Sequence, residues 1–283
     1  MADNDEGAAE RMGDLALRGR GGRRGGRGGR GGKSDRDMMI SKALSSLLRH
    51  QATAAGVELD VEGFAPLDRV LQWPRIRSLN PSMDEIRHAV ADNEKQRFAM
   101  KPKDPAAIAG DNDDPAAWLI RANQGHSIEL AEESVHEAIT LEAGNVPEIV
   151  VHGTYFAFWP AILASGGLKK MARQHVHFGT GLLPADAGND VGAGEDGKPK
   201  VISGMRSDAE LVVFVDVQQS LRDGGIRWWL SANGVVLTDG NDEGVVPLKY
   251  FKEVKGRRQG VGVLWRDGEK VADLPEGVVA NVP

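Results

Sequence analysis

The sequence contains no cysteine in 283 residues. That excludes disulfide staples, thiolate catalysis and thiolate-bound zinc, and it fits an intracellular setting, nuclear or cytoplasmic. Also missing is any apolar run near the ~18–20 residues that cross a bilayer, so no membrane partner is expected. The opening MADNDEGAAERMGD is acidic and holds no apolar stretch, so a secretory signal is not expected. No internal repeat occurs. Bulk positive charge is absent too, since the net charge is −6. The first 36 residues carry nine Lys and Arg against six Asp and Glu, and the remainder 26 against 35. A body this acidic does not hold nucleic acid by overall charge; such binding requires a local basic site.

What is present is enough chain for two folded units. Residues 18–33, RGRGGRRGGRGGRGGK, are low in complexity and expected to be disordered, either as a solubilising tail or in salt-sensitive, weakly specific contacts with RNA. GRGGRG (Gly26 to Gly31) fits a dinucleotide-binding glycine pattern formally, but no strand precedes it. GGKS ends like a phosphate-binding loop, yet Arg27 stands where its first glycine belongs. Neither carries chemistry.

Order is expected from near Met39. In MMISKALSSLLRH, Ile40, Leu44, Leu47 and Leu48 share one helical stripe, with Lys42, Ser45 and Arg49 on another. GFAPLDRVLQW reads as a short helix entered through Pro66. NPSMDEIRHAVAD reads as a third helix, with Ser82 and Glu85 spaced as a capping box. KQRFAM and AWLIRAN follow as strands around a polar insert. Three helices and a hairpin predict a winged helix, a shape that by itself assigns no function. From Pro147 strands dominate: EIVVHGT, HVHFG, ELVVFVDV and RWWLSANGVVLT, the last turning at Asn233-Gly234. FWPAILASGG is a helix stopped by Gly166-Gly167. The tail GVGVLWRDGEKVADLP adds a hairpin turning at Asp267-Gly268. The divisions expected are a tail over 1–37, a first lobe over 38–127, a linker over 128–146, a second lobe over 147–254 and an extension over 255–283.

Several polar groups are not explained by apolar packing. Arg49 and His50 end the first helix, where cations also simply suit the helix dipole. Arg97, Arg121 and Arg206 lie in or beside strands. Each alone reads as a surface arginine, but together they point to an anionic ligand, because guanidinium forks match phosphate oxygens and stay charged. His175 and His177 form an H-x-H pair without a carboxylate at a metal-binding spacing, so no metal is expected. His152 and His177 better suit neutral hydrogen bonding to a ligand.

These stretches occur in one order across residues 39–251: SKALSSLLRH, EGFAPLDRVL, DNEKQRF, IRANQGHS, VHGTYFAFWPAILASGGL, HVHFG, SGMRSDAELVVFVDV, SANGVVLT and KYF. In this the chain resembles the NAD-dependent tRNA 2′-phosphotransferase family. The match covers about three quarters of the chain; the Arg-Gly tail, the inserts around 103–115 and 184–200, and the segment after Phe251 lie outside it.

The resemblance implies an α+β protein: an N-terminal winged-helix RNA-binding lobe joined to a C-terminal ADP-ribosyltransferase-like lobe; nothing in the sequence demands more than a monomer. Its substrate would be tRNA carrying a 2′-phosphate at the splice junction, with NAD as co-substrate and no metal. That phosphate would attack the nicotinamide ribose, expelling nicotinamide. The adjacent ribose hydroxyl would then attack phosphorus, releasing ADP-ribose 1″,2″-cyclic phosphate. Arg49, His50, Arg121 and Arg206 would be catalytic, and Lys42 and Arg97 would bind RNA phosphates. His152, Gly153, Thr154, His177 and Ser203 would seat NAD. Gln124, His126 and Ser127 would line the cleft between lobes, with Gly125 giving the backbone room. Two alternatives share these residues: a transferase that stops after ADP-ribosylating a nucleic-acid phosphate, and a non-catalytic RNA-binding protein.

Overall fold

The computed structural model describes residues 31–91, 96–104, 112–128, 135–181, 204–205, 208–257 and 259–280. Helix α1 (Gly31–Ser46) buries Ile40, Ala43 and Leu44, as its apolar stripe requires. It continues into a π-helical turn, Leu47–Gln51, which buries Leu47 and Leu48 and carries Arg49 and His50. Such widened turns recur at functional sites. The helix begins well before the expected onset near Met39. Arg36 binds the Glu85 carboxylate and the Leu79 carbonyl (2.9 Å), and Asp37 lies 3.6 Å from His88. Those partners are distant in sequence, so the earlier start is a tertiary effect.

Next come α2 (Leu67–Gln72), entered through Pro66, α3 (Pro74–Arg77) and α4 (Met83–Ala91). The expected capping box forms at α4: Ser82 Oγ accepts from Glu85 N at 3.2 Å, and the Glu85 carboxylate accepts from Ser82 N at 2.9 Å. Strands β1 (Ala65–Pro66), β2 (Phe98–Pro102) and β3 (Trp118–Ala122) form an antiparallel sheet in the order β1-β3-β2, with Ala99 opposite Arg121. Ile40, Leu44, Leu47, Leu48, Leu67, Ile86 and Ile120 close one core beneath it.

The second core gathers Phe156, Trp159, Phe178, Trp228 and Phe251. Around it lie β4 (Glu137–Ala138), β5 (Val151–Thr154), α5 (Trp159–Ala164), β6 (Gly167–Lys169), β7 (Val176–Phe178), β8 (Leu211–Val215), α6 (Val217–Asp223), β9 (Trp229–Leu230), β10 (Val236–Thr238), β11 (Val245–Pro247), β12 (Phe251–Gly256), β13 (Val263–Arg266) and β14 (Glu269–Lys270). They make sheets ordered β4-β9-β10-β7, β11-β6 and β14-β13-β12-β8-β5. The whole is a mixed α+β protein. Among the described residues no helix is long and apolar enough to cross a membrane.

β12 runs through residue 254, and β13 with β14 extends the same sheet, burying Leu264 and Trp265. The stretch 128–146, expected as a linker, supplies β4 and buries Ile139. Asp267 (φ 48°) and Gly268 (φ 83°) both take the left-handed conformation a tight hairpin demands. At Asn233-Gly234 only Gly234 does (φ 74°), and the connection is a wider loop that Ser231 closes by bonding Val235.

Candidate functional site

Two motifs far apart in sequence meet at the π-helical turn. Ser127 N donates to the Arg49 carbonyl at 3.0 Å, and Ser127 Oγ lies 3.0 Å from His50 Nδ1. Between them Gly125, at φ +84°, turns its bare Cα toward Arg49; a Cβ there would sit 3.4 Å from Nη1. The room expected beside Gly125 is thus filled by a candidate catalytic arginine. The next residue, His126, is buried, and its carbonyl accepts from Gln174 N at 3.1 Å, joining the stretch to the segment that leads into β7.

Six of the seven histidines converge here, His88 in α4 being the exception. His126 is pushed down to about 3, first by burial and then by the charges of Arg49, His136, His50 and His175. His177, in β7, is held well below its ordinary value by burial, then by Arg173, His175 and Arg49. Both rings are therefore neutral at physiological pH. Their Nε2 atoms are buried without a hydrogen-bond partner among the described residues, and buried polar atoms are nearly always satisfied. Each can pair with a bound polar ligand or an ordered water. His152, in β5, places Nδ1 2.9 Å from the His177 carbonyl across the bridge that joins Val151 to Gly179.

His136 and His175 were not singled out from the sequence as site residues. Their rings meet edge-on at 6.0 Å, and His175 also meets Trp229 at 5.6 Å. Burial at positions separated by strands is the signal, and a single sequence does not carry it.

Gly153 has a packing role: a Cβ there would lie 2.6 Å from Met205 Cγ and 2.9 Å from Ala209 Cβ. Gly204 is similarly pressed on Phe178, with a would-be Cβ 2.6 Å from its carbonyl oxygen. Residues 204–205 therefore lie over β5 and the end of β7. Thr154 is buried at the end of β5. Ser203 and Arg206 lie outside the described residues.

Arg121, on β3, is half-buried; its Nη1 donates to the Glu62 carbonyl at 2.9 Å, and its guanidinium covers the Phe64 ring at 4.7 Å. Burial lowers its pKa, opposed by the charges of Glu62 and Asp60. Burial also lowers that of Arg97, just before β2. β3 packs against the π-helical turn. Lys42 is exposed on α1, and Gln124 is partly exposed beside the cluster. Among the described residues no group of three or more His, Asp or Glu is arranged to hold a metal.

The centre thus combines guanidinium groups with imidazoles kept neutral, which is an arrangement for an anionic, hydrogen-bonding ligand. A family model described as RNA 2′-phosphotransferase, Tpt1/KptA family, matches residues 35–240, and the chain belongs to that family. It is 42% identical to a tRNA 2′-phosphotransferase 1 of Bos taurus, over 77% of this chain and 75% of that protein. It is 41% identical to the Homo sapiens tRNA 2′-phosphotransferase 1, over 77% of this chain and 76% of that one. The tRNA 2′-phosphotransferase of Saccharomyces cerevisiae is 31% identical, over 77% of this chain and 84% of its own.

Proposed function

We propose that this protein removes the internal 2′-phosphate from spliced tRNA by transferring it to NAD, releasing nicotinamide and ADP-ribose 1″,2″-cyclic phosphate. The observation that carries the reading is the closure of IRANQGHS onto the π-helical turn, which brings Gly125, His126 and Ser127 against Arg49 and His50. Helices α1, α2 and α4 with the β2–β3 hairpin read as a winged-helix RNA lobe. The part from β5 onward reads as an ADP-ribosyltransferase-like lobe.

The residue types fit the chemistry. The attacking phosphate is already an anion, so no buried base or thiol is required. The protein must hold charge and align two substrates. Arg49, Arg121 and Arg206 clamp the phosphate and the charge that develops on it, while Lys42 and Arg97 contact the RNA backbone. His50, steadied by Ser127, takes the proton from the ribose hydroxyl when that oxygen attacks phosphorus. NAD supplies the acceptor ribose and a leaving group that departs neutral. His152, Thr154, His177 and Ser203 are the residues that hold it, and the unmatched Nε2 of His177 fits a ligand rich in hydroxyls. Gly153 helps by letting Met205 pack beside them.

The test is a short RNA with one internal 2′-phosphate, incubated with and without NAD while RNA and nucleotide products are resolved together. NAD-dependent loss of the phosphate with the cyclic product supports the proposal. ADP-ribosylated RNA that persists would identify a one-step transferase, and binding without reaction a non-catalytic protein. Arg49→Ala, Arg121→Ala or Arg206→Ala should each slow turnover about a hundredfold or more, as loss of a transition-state charge partner does.

A further inference from the structure

The turn beneath Arg121 is tightly built. Asp60 Oδ1 accepts from Glu62 N at 2.9 Å and Phe64 N at 2.8 Å, and Asp60 N donates to the Phe64 carbonyl at 2.8 Å. This fixes the Glu62 carbonyl as the acceptor for Arg121 Nη1 and sets the Phe64 ring beneath the guanidinium. It also places the Glu62 side chain, which three rotatable bonds can swing, next to a half-buried cation. Two carboxylates act on Arg121 electrostatically, those of Glu62 and Asp60. Asp60 is committed to the turn. Glu62 is not.

Lys101 holds Glu62 instead. Its Nζ lies 2.5 Å from Glu62 Oε2 and 4.1 Å from the centre of the Phe64 ring, so Lys101 and Arg121 share one aromatic platform. Arg121 Nε has no hydrogen-bond partner among the described residues, although it is buried. A guanidinium edge in that state either takes an anionic ligand or draws in the nearest mobile carboxylate. We propose that Lys101 is a positioning residue: by engaging the Glu62 carboxylate it keeps that group off Arg121 and leaves the guanidinium to the RNA phosphate. This rests on Arg121 being a phosphate clamp. Lys101 and Glu62 are both part-exposed, with 39% and 46% of their side-chain surface open, so the pair is peripheral to the core.

Removing the lysine while keeping the carboxylate should turn Glu62 into a competitor. In the full chain, Lys101→Met should raise the KM for 2′-phosphorylated RNA roughly three- to fivefold, the upper part of the range of partly screened ion pairs, with an unchanged melting temperature. Lys101→Arg should keep wild-type behaviour. The double variant Lys101→Met/Glu62→Gln should recover to within about twofold of wild type, because the competing charge is gone. A Lys101→Met enzyme with wild-type KM would overturn the proposal. So would a double variant as impaired as the single one, which would make Lys101 a direct RNA contact. Wild-type activity in Arg121→Ala is a separate failure, since it removes the clamp itself.

Discussion

The Arg49 guanidinium rests on the bare Cα of Gly125: a Cβ built there would stand 3.4 Å from Nη1, 3.5 Å from Cζ and 3.6 Å from Cδ. Gly125 is also left-handed, at φ +84°. Gly125→Ala therefore meets a backbone strain of about 1–2 kcal/mol, while its methyl would sit at ordinary contact distance from the arginine head. Thermal unfolding should show that loss, and turnover well below the melting point should hold. A variant of intact stability but lost turnover would show that Arg49 tolerates no methyl in this seat.

His50 and Ser127 divide a task in the proposed reaction. His50→Ala should slow the second step by about 10²- to 10⁴-fold, the usual contribution of a proton-transfer group. Ser127→Ala leaves the ring in place but removes the partner of Nδ1, so its loss should be nearer tenfold, in the manner of an outer orienting contact. Rapid-quench product analysis should then show ADP-ribosylated RNA accumulating in both variants, more in His50→Ala.

Stability should depend on pH through His126 and His177, both buried neutral. His126 is held at about 3 when folded, far below the ordinary histidine value of 6.5 that its unfolded form regains. His177 moves in the same direction. Above pH ~6.5 neither ring makes stability depend on pH; below it the unfolded chain takes up protons that the folded one does not, so stability falls at up to about 1.4 kcal/mol per pH unit for each. Melting curves between pH 7.5 and 4.5 should show this decline, and His126→Asn should make it shallower. A slope unaltered in His126→Asn would mean that another group dominates.

Gly153→Ala should be destabilising by about 1–3 kcal/mol through overpacking, with Met205 as the side chain that must move. Adding Met205→Ala removes the clash at Cγ (2.6 Å) and leaves only the closer fit to Ala209. Thermal unfolding should show the double variant recovering part of what Gly153→Ala loses.

Much of the local structure was legible because it depends on neighbours in the chain. The Ser82–Glu85 box and the Asp267-Gly268 turn form as spacing and residue type dictate, and the apolar stripe of α1 lies in the core. The start of α1 was not legible, since the ion pair of Arg36 with Glu85 spans 49 residues. Nor was the joining of β13 and β14 to a sheet that includes β5, because those strands are far apart in the chain. Arg49, His50 and Arg121 stood out as cations without a packing reason. Lys101, Glu62 and His136 did not, since each looks ordinary until its partner is beside it, and His175 stood out only as half of an H-x-H pair.

By itself the sequence determined which chemistries were closed to this protein and which charged groups it could offer: no thiol, no spanning helix, several arginines in unusual places. Composition and local spacing are properties of the chain and survive unfolding. Tertiary structure alone decided that Gly125 seats Arg49, that Ser127 holds His50, that His126 and His177 are neutral, and that Glu62 faces Lys101 beside Arg121. Those are matters of distance and desolvation, which exist only once segments some tens of residues apart are packed together.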